Sequence, residues 1–141
     1  MATQPETAGH ARAVDVSAAL IFHEDTLLIT RRHADSHLGG LWEFPGGKRE
    51  ADETFEECLA REIREELAME ISVGDLFEEI THAYEAKTVH LKFFVCQWIR
   101  GEPRPLGCAA FKWVRKNELA QNKFPAADAR LLEKLMASKL F

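Results

Sequence analysis

Several things are scarce in this chain of 141 residues, and each scarcity excludes a class of protein. Cysteine is limited to Cys58, Cys96 and Cys108, which are odd in number, far apart and without a Cys-x-x-Cys pair. They form neither a disulfide framework nor a zinc site, so a reduced, cytoplasmic compartment is the expected setting. No apolar run approaches the ~20 residues that span a bilayer, and the first dozen residues lack the apolar core of a secretion signal. No membrane partner is expected. Positive charge is not in excess either: 18 Lys and Arg against 23 Asp and Glu leave a formal net charge of −5. That argues against direct binding of duplex nucleic acid through a broad cationic surface. A polyphosphate ligand is compatible only if a metal or a few local Arg and Lys side chains neutralise it. Repeats, heptads and low-complexity tracts are missing too.

What remains reads as one domain, since this length supports one proper hydrophobic core and not two. Residues 1–13, polar and carrying Pro5 and Gly9, read as a disordered lead-in, which leaves 14–141 as the folded unit. Residues 14–22 are largely apolar and predict a buried strand. A turn at His23-Glu24-Asp25 leads to a second strand at Leu27-Leu28-Ile29-Thr30, ending in Arg31 and Arg32. After a loop comes Trp42-Glu43-Phe44-Pro45-Gly46-Gly47, whose two glycines predict unusual backbone geometry. Strand-like segments at 70–84 and 88–99, a short strand at 111–114 and a helix from Pro125 to about Leu135 follow. Strands interleaved with two helices predict an α/β (α+β) fold, a mixed sheet sandwiched between helices.

The first helix carries the chemistry. Thr54-Phe55-Glu56-Glu57 matches a capping box and predicts a helix over 54–67. On it, Glu62, Glu65 and Glu66 stand at i, i+3 and i+4 and share one face. Three carboxylates on one face repel one another unless a cation sits among them. A solvated acidic face is the plain alternative, but the helical wheel conflicts with it. At about 100° per residue, Phe55, Cys58, Leu59 and Ile63 define the apolar stripe, with Arg64, Glu57 and Arg61 opposite. Glu62 and Glu66 fall inside the stripe's range, and Glu65 lies at its edge. Burying unpaired carboxylates is unfavourable, so a divalent metal is the simplest account. Hard carboxylate oxygens favour Mg²⁺ or Mn²⁺ over zinc.

Gly47, Glu53, Arg61, Glu62, Glu65 and Glu66 stand at the spacing Gly-x5-Glu-x7-Arg-Glu-U-x-Glu-Glu, with Ile63 as the apolar U. A chance match of six fixed positions is on the order of one in 10⁵. The pattern resembles the Nudix box. Its flanks, Thr30-Arg31-Arg32, Leu41-Trp42-Glu43-Phe44-Pro45-Gly46-Gly47-Lys48 and Phe124-Pro125-Ala126-Ala127-Asp128 among them, resemble the MutT-type branch of that family. The resemblance implies a Nudix fold and a Mg²⁺-dependent hydrolase, with Mn²⁺ as a substitute. Such an enzyme cuts a nucleoside triphosphate, oxidised ones such as 8-oxo-dGTP included, to the monophosphate and pyrophosphate. A preference for CTP or dCTP, action on another nucleoside diphosphate derivative, and a non-cutting nucleotide-binding module are the rivals. A monomer or homodimer is expected.

The same resemblance implies roles for individual residues. Glu65 and Glu66 ligate the metal, helped by the Gly47 carbonyl, while Glu62 is a general base or a further ligand. Arg61 pairs with Glu53 and orients the catalytic loop. The ion polarises a phosphoryl oxygen and lowers the pKa of an attacking water. Arg32 contacts phosphate or sugar, or is merely a surface arginine at a strand end. Lys48 meets phosphate or is solvated. Phe44 and Trp42 line a base pocket or belong to the core. Asp128 reads the base, or else stabilises the first turn of the last helix. As a carboxylate it accepts from a cytosine amino group; protonated, it donates to an oxidised purine.

Two departures from the pattern stand out. The box continues with a glycine where this chain has Ala68. Alanine in a left-handed turn there costs about 1 kcal/mol, unless the helix ends differently. MutT-type enzymes also carry a carboxylate in the loop matched here by Pro105-Leu106-Gly107-Cys108-Ala109-Ala110, which has no acid. A ligand or base is then either missing or supplied from elsewhere, with Glu102 and Glu85 as candidates.

Overall fold

The computed structural model describes residues 12–141. Most of the expected lead-in, residues 1–11, therefore lies outside the described residues, while Arg12 and Ala13 already belong to the first strand. In chain order the elements are β1 (Arg12–His23), β2 (Thr26–Arg31), β3 (Trp42–Glu43), β4 (Gly46–Lys48), α1 (Phe55–Leu67), β5 (Glu70–Ala83) and β6 (Lys87–Arg100). There follow β7 (Ala110–Arg115), α2 (Lys116–Leu119), a 3₁₀ turn (Ala126–Asp128) and α3 (Ala129–Ala137).

β1 organises one mixed sheet. Along one edge it runs parallel to β6, from Arg12 opposite Lys87 to Phe22 opposite Gln97. Along the other it pairs antiparallel first with β4, at Val16 to Ala18, and then with β2, at Phe22 and His23. β5 extends the sheet beyond β6, while β3 and β7 both pair with β2. Alternation along the strands sends side chains to opposite faces. Ala18, Leu20, Leu27, Ile29 and Phe93 pack with Leu131 and Leu135 of α3. Ala19, Ile21, Leu28, Phe94 and Cys96 pack with Leu59, Ile63 and Leu67 of α1. A mixed sheet with a helix on each face is the architecture expected from the sequence.

α1 begins as its capping box predicts. The Thr54 hydroxyl accepts from the Glu57 amide (3.0 Å), and the Glu57 carboxylate accepts from the Thr54 amide (2.9 Å). Its end is the more informative part. Ala68 adopts a left-handed conformation, φ 60° and ψ 29°, and its amide donates to the Arg64 carbonyl. The loop from β6 to β7 then covers the last free carbonyls. Arg104 donates to Leu67 O (2.8 Å), and Leu106 and Gly107 both donate to Glu66 O (3.0 Å each). The acid-free loop thus serves as a backbone cap for the helix that bears the acidic cluster.

Three expectations are corrected. The last helix starts later than Pro125, because the extended ψ of 148° at Pro125 admits only a 3₁₀ turn before α3 opens at Ala129. The single-turn α2 carries no periodic signal and was not expected. Gly46 and Gly47 do not use unusual dihedrals; among the described residues only Gly40 and Gly101 are glycines with positive φ. They are small because the backbone is crowded: a Cβ at Gly46 would overlap the Ser17 carbonyl, and one at Gly47 would overlap the Glu62 carboxylate.

Since Ala68 holds a conformation that glycine adopts freely, Ala68→Gly is expected to stabilise the protein by about 1 kcal/mol. Thermal denaturation should show Tm raised by roughly 3 °C. An unchanged or lower Tm would mean that the turn carries no strain.

Candidate active site

A cleft of about 470 Å³ opens beside the C-terminal half of α1, where β4, the loop from β2 to β3 and the 3₁₀ turn converge. It collects Arg32, Phe44, Gly47, Lys48, Glu66 and Asp128, six of the residues singled out from the sequence, from five separate segments. Glu66 reaches it because Ile63 and Leu67, its neighbours on α1, are fully buried against the sheet. The Gly46 amide donates to Glu66 Oε1 (3.2 Å), and no Lys or Arg pairs with this carboxylate among the described residues. Burial first, and the nearby Glu43 second, hold the Glu66 carboxyl up to about 8.

The remaining acids are organised by Arg61 just outside the cleft. Its guanidinium grips Glu53 with two bonds, Nε to Oε2 (2.9 Å) and Nη2 to Oε1 (2.7 Å). Nη1 reaches Glu62 (3.0 Å) and Glu65 (3.2 Å), and Nη2 also donates to the Lys48 carbonyl (3.1 Å). The pairing holds the Glu53 carboxyl down to about 2, chiefly through the Arg61 hydrogen bonds. The wheel assigned Arg61 to the side opposite the apolar stripe; its long arm instead reaches back to the β4–α1 loop, to Glu53 and the Lys48 carbonyl. Glu62 is the hinge between the two groups, bonded to Arg61 and pressed against Gly47. Burial raises its carboxyl more than Arg61 lowers it. Glu65 is not brought to the cleft: its side chain is 60% exposed on the outer flank.

The family model described as NUDIX domain matches residues 17–134. This chain belongs to the Nudix family. It is 34% identical to the CTP pyrophosphohydrolase of Escherichia coli strain K12 over 89% of this chain and 93% of that protein. It is 30% identical to the 8-oxo-dGTP diphosphatase of the same strain, over 88% of this chain and 97% of that one. The crystal structure of a MutT protein from Methanosarcina mazei Go1 superposes with a TM-score of 0.79 at 26% identity, covering 88% of this chain and 93% of the other. Family membership makes the protein a Nudix hydrolase, a class that uses divalent metal ions.

The residues present fit such an ion in this Nudix protein. Glu66 is a recessed carboxylate without a cationic partner among the described residues, near enough to Glu62 to feel its charge, in a cleft that Gly47 also lines. The set is gathered but not closed: among the described residues no three His, Cys, Asp or Glu side chains already converge on a metal-sized point. Arg61 meanwhile supplies positive charge to Glu62 and Glu65.

The far wall of the cleft holds what sequence reasoning treated least fully. Asp128 is 8% exposed and stands at the N-cap of α3, but its side chain makes no capping hydrogen bond there. Burial, then Glu43, raises its carboxyl to about 6. Glu43, not chosen as a site residue, lines the cleft and accepts from Arg32 Nη1 (3.1 Å). Its signal was available: an acid set between Trp42 and Phe44 in an otherwise apolar run. Phe44 belongs to both readings, buried in the core yet lining the cleft, and stacked on Phe124 with centroids 5.3 Å apart. At the mouth, Tyr84 meets His37 edge to face at 5.7 Å, a contact between distant loops that no local pattern announces. Neither Glu85 nor Glu102 lines the cleft; Gly107 and Cys108 stand where a loop acid was looked for.

The raised Glu66 carboxyl carries a pH signature. The folded protein keeps a proton there that the unfolded chain loses in the ordinary carboxylate range. This contribution to stability is therefore full at low pH and falls as pH rises toward about 8. A divalent cation held at Glu66 would replace that proton. The Tm gain from saturating Mg²⁺ should be larger at about pH 8 than at about pH 5.5, and Glu66→Gln should flatten the difference. A gain that is equal at both pH values in the unaltered protein would place the cation away from Glu66.

Proposed function

We propose that this protein is a nucleoside triphosphate pyrophosphohydrolase that releases a nucleoside monophosphate and pyrophosphate, with Mg²⁺ as its ion. The observation that carries the reading is Glu66: a carboxylate recessed at the floor of a nucleotide-sized cleft, bonded by one backbone amide and left without a counter-charge. Glu66, Glu62 and the Gly47 carbonyl would hold the ion, with Glu65 joining from the outer flank once released from Arg61. When bound, the ion neutralises polyphosphate charge and makes a water more acidic. Glu62 is the group that takes the proton from the attacking water, its basicity raised by burial. Arg61, fixed by Glu53, orients Glu62. Arg32 and Lys48 face the same cleft and would meet the phosphates or sugar.

The base is read at the other end, by Asp128 beside Phe44 and Glu43. The carboxyl of Asp128 sits near 6, so both of its forms are populated around neutral pH. Ionised, it accepts from a cytosine amino group; protonated, it donates to a carbonyl of an oxidised purine. The relatives named for CTP and for 8-oxo-dGTP support each arm. Hydrolysis of 8-oxo-dGTP would make the protein a sanitiser of the nucleotide pool, and this is the primary reading.

Two experiments test the proposal. Pyrophosphate release in Mg²⁺ should fall by roughly two orders of magnitude or more in Glu66→Gln and in Glu62→Gln. Both variants should still fold by circular dichroism; undiminished turnover would refute the assignment. Separately, kcat/KM for CTP relative to 8-oxo-dGTP should rise as pH increases through about 6, because the accepting form of Asp128 grows. Asp128→Asn should remove that dependence, and a pH-independent ratio in the unaltered protein would take Asp128 out of base reading.

A further inference from the structure

The Glu53–Arg61 arm is itself fastened from beneath by residues other than the fixed positions of the Nudix box. Arg49, in the loop between β4 and α1, donates through Nε and Nη2 to one carboxylate oxygen of Asp15 (3.2 and 2.8 Å). Its amide donates to the Asp15 carbonyl at 2.8 Å. Nη1, turned the other way, donates to the main-chain carbonyl of Glu53 at 2.8 Å. The second carboxylate oxygen of Asp15 faces His90 Nδ1 at 3.6 Å, and His90 Nε2 in turn bonds Glu79. A polar line thus crosses β5, β6 and β1 and ends on the backbone of Glu53. Arg49 holds Glu53 by its carbonyl and Arg61 by its carboxylate, while a local turn with Glu50 supplies the other two bonds, Glu50 N to Glu53 Oε1 (2.9 Å) and Glu53 N to Glu50 O (3.2 Å).

We propose that Arg49, anchored by Asp15, is a positioning residue of the hydrolytic site: it fixes Glu53, and through Glu53 and Arg61 it fixes Glu62 beside Gly47. The inference rests on the hydrolase reading and on Glu62 acting there. Its physical basis is the rigid guanidinium plane. Arg61 spends two N–H groups on Glu53 and reaches Glu62 with a third nitrogen, so a shift of Glu53 turns the whole fork. Freed of Arg49, the Glu53 backbone is one constraint short, and the rotation is passed directly to Glu62. Arg49 and Asp15 are only 28% and 29% exposed, so their pairing is less screened than that of a surface pair. A plain loop fastener would have needed only the bond to Asp15; the bond to Glu53 O makes Arg49 a bridge.

The test compares Arg49→Met, which keeps an unbranched stem but removes all three side-chain donations and the guanidinium over the Phe55 ring, with Arg49→Lys and Asp15→Asn. Each is measured for Tm, for kcat and KM with a nucleoside triphosphate, and for Mn²⁺ binding to the nucleotide-free protein by calorimetry. Arg49→Met should lower kcat about tenfold or more with KM within about twofold, and should weaken Mn²⁺ binding. Arg49→Lys should restore part of both losses. Asp15→Asn should move kcat and Mn²⁺ affinity the same way by less, and it carries the test if Arg49→Met fails to fold. A lowered Tm with kcat and Mn²⁺ affinity intact would overturn the proposal and leave Arg49 a fastener. A change confined to KM would overturn it in favour of a substrate contact. If the unaltered protein cuts no triphosphate, the hydrolase reading fails, while the Mn²⁺ titration still decides the positioning role.

Discussion

The structure turns on one constraint: packing α1 against the sheet obliges Glu66 to leave water. Leu59, Ile63 and Leu67 are fully buried at steps of four residues, and Glu66 lies on the same arc. A helix cannot rotate Glu66 outward without lifting Ile63 from Ile21 and Phe94, which would expose far more apolar surface than one carboxylate is worth. The sheet therefore holds an acid where an acid is least comfortable. What surrounds it answers that discomfort only in part: one backbone donor, a raised proton affinity and an open cleft. A site left incomplete in this way is poised for a cation, and its incompleteness is as much a product of core packing as the core is.

The neighbouring acids meet a different solution. Glu53, Glu62 and Glu65 share one guanidinium, so a single positive charge bonds three carboxylates and the loop between β4 and α1 is folded onto the helix. Crowding enforces the same closeness. Gly46 lies against the Ser17 carbonyl and Gly47 against Glu62, so a side chain at Gly46 would push β4 off β1 and one at Gly47 would displace the Glu62 carboxylate. Charge pairing and steric permission act on the same few residues, and neither is sufficient without the other.

How much of this was legible follows from how local each signal is. The capping box at Thr54, the strands and the two-sided sheet all rest on neighbours in sequence, and they read out well. The spacing of Glu62, Glu65 and Glu66 likewise brought the helix face into view. What was not legible lies across the chain. Periodicity gives the direction of a Cβ, so it placed Arg61 on the solvent side; it gives nothing of where a long side chain ends. Glu65, only three residues from Glu62, sits just far enough round the helix to remain exposed. The contact of His37 with Tyr84 and the bond of Glu43 to Arg32 join separate loops, and only the assembled sheet brings them together. The conformation of Ala68 was half legible: the position of the turn was readable, but whether alanine would hold it was not.

The acid-free loop before β7 shows why an absent residue need not mean a damaged fold. Its amides cap Glu66 O and Leu67 O, and that duty depends on the backbone passing close to the helix, not on any side chain. A Cβ at Gly107 would sit 3.3 Å from Glu66 Cα, so the approach leaves little room for bulk at that point. Cys108 follows, 4% exposed and packed with the α1 core, its thiol pushed up to about 11 by burial and by Glu66. A small neutral side chain there adds no further charge to a cleft that already holds Glu43, Glu66 and Asp128. Were an acid placed at 108, four carboxylates would face one another with Arg32 as the nearest paired cation, and the proton affinities of Glu66 and Asp128 would climb further. The loop therefore has a neutral side chain and close packing where an acid would add charge, and Glu43, which raises the carboxyls of both Glu66 and Asp128, already links the acids of the cleft.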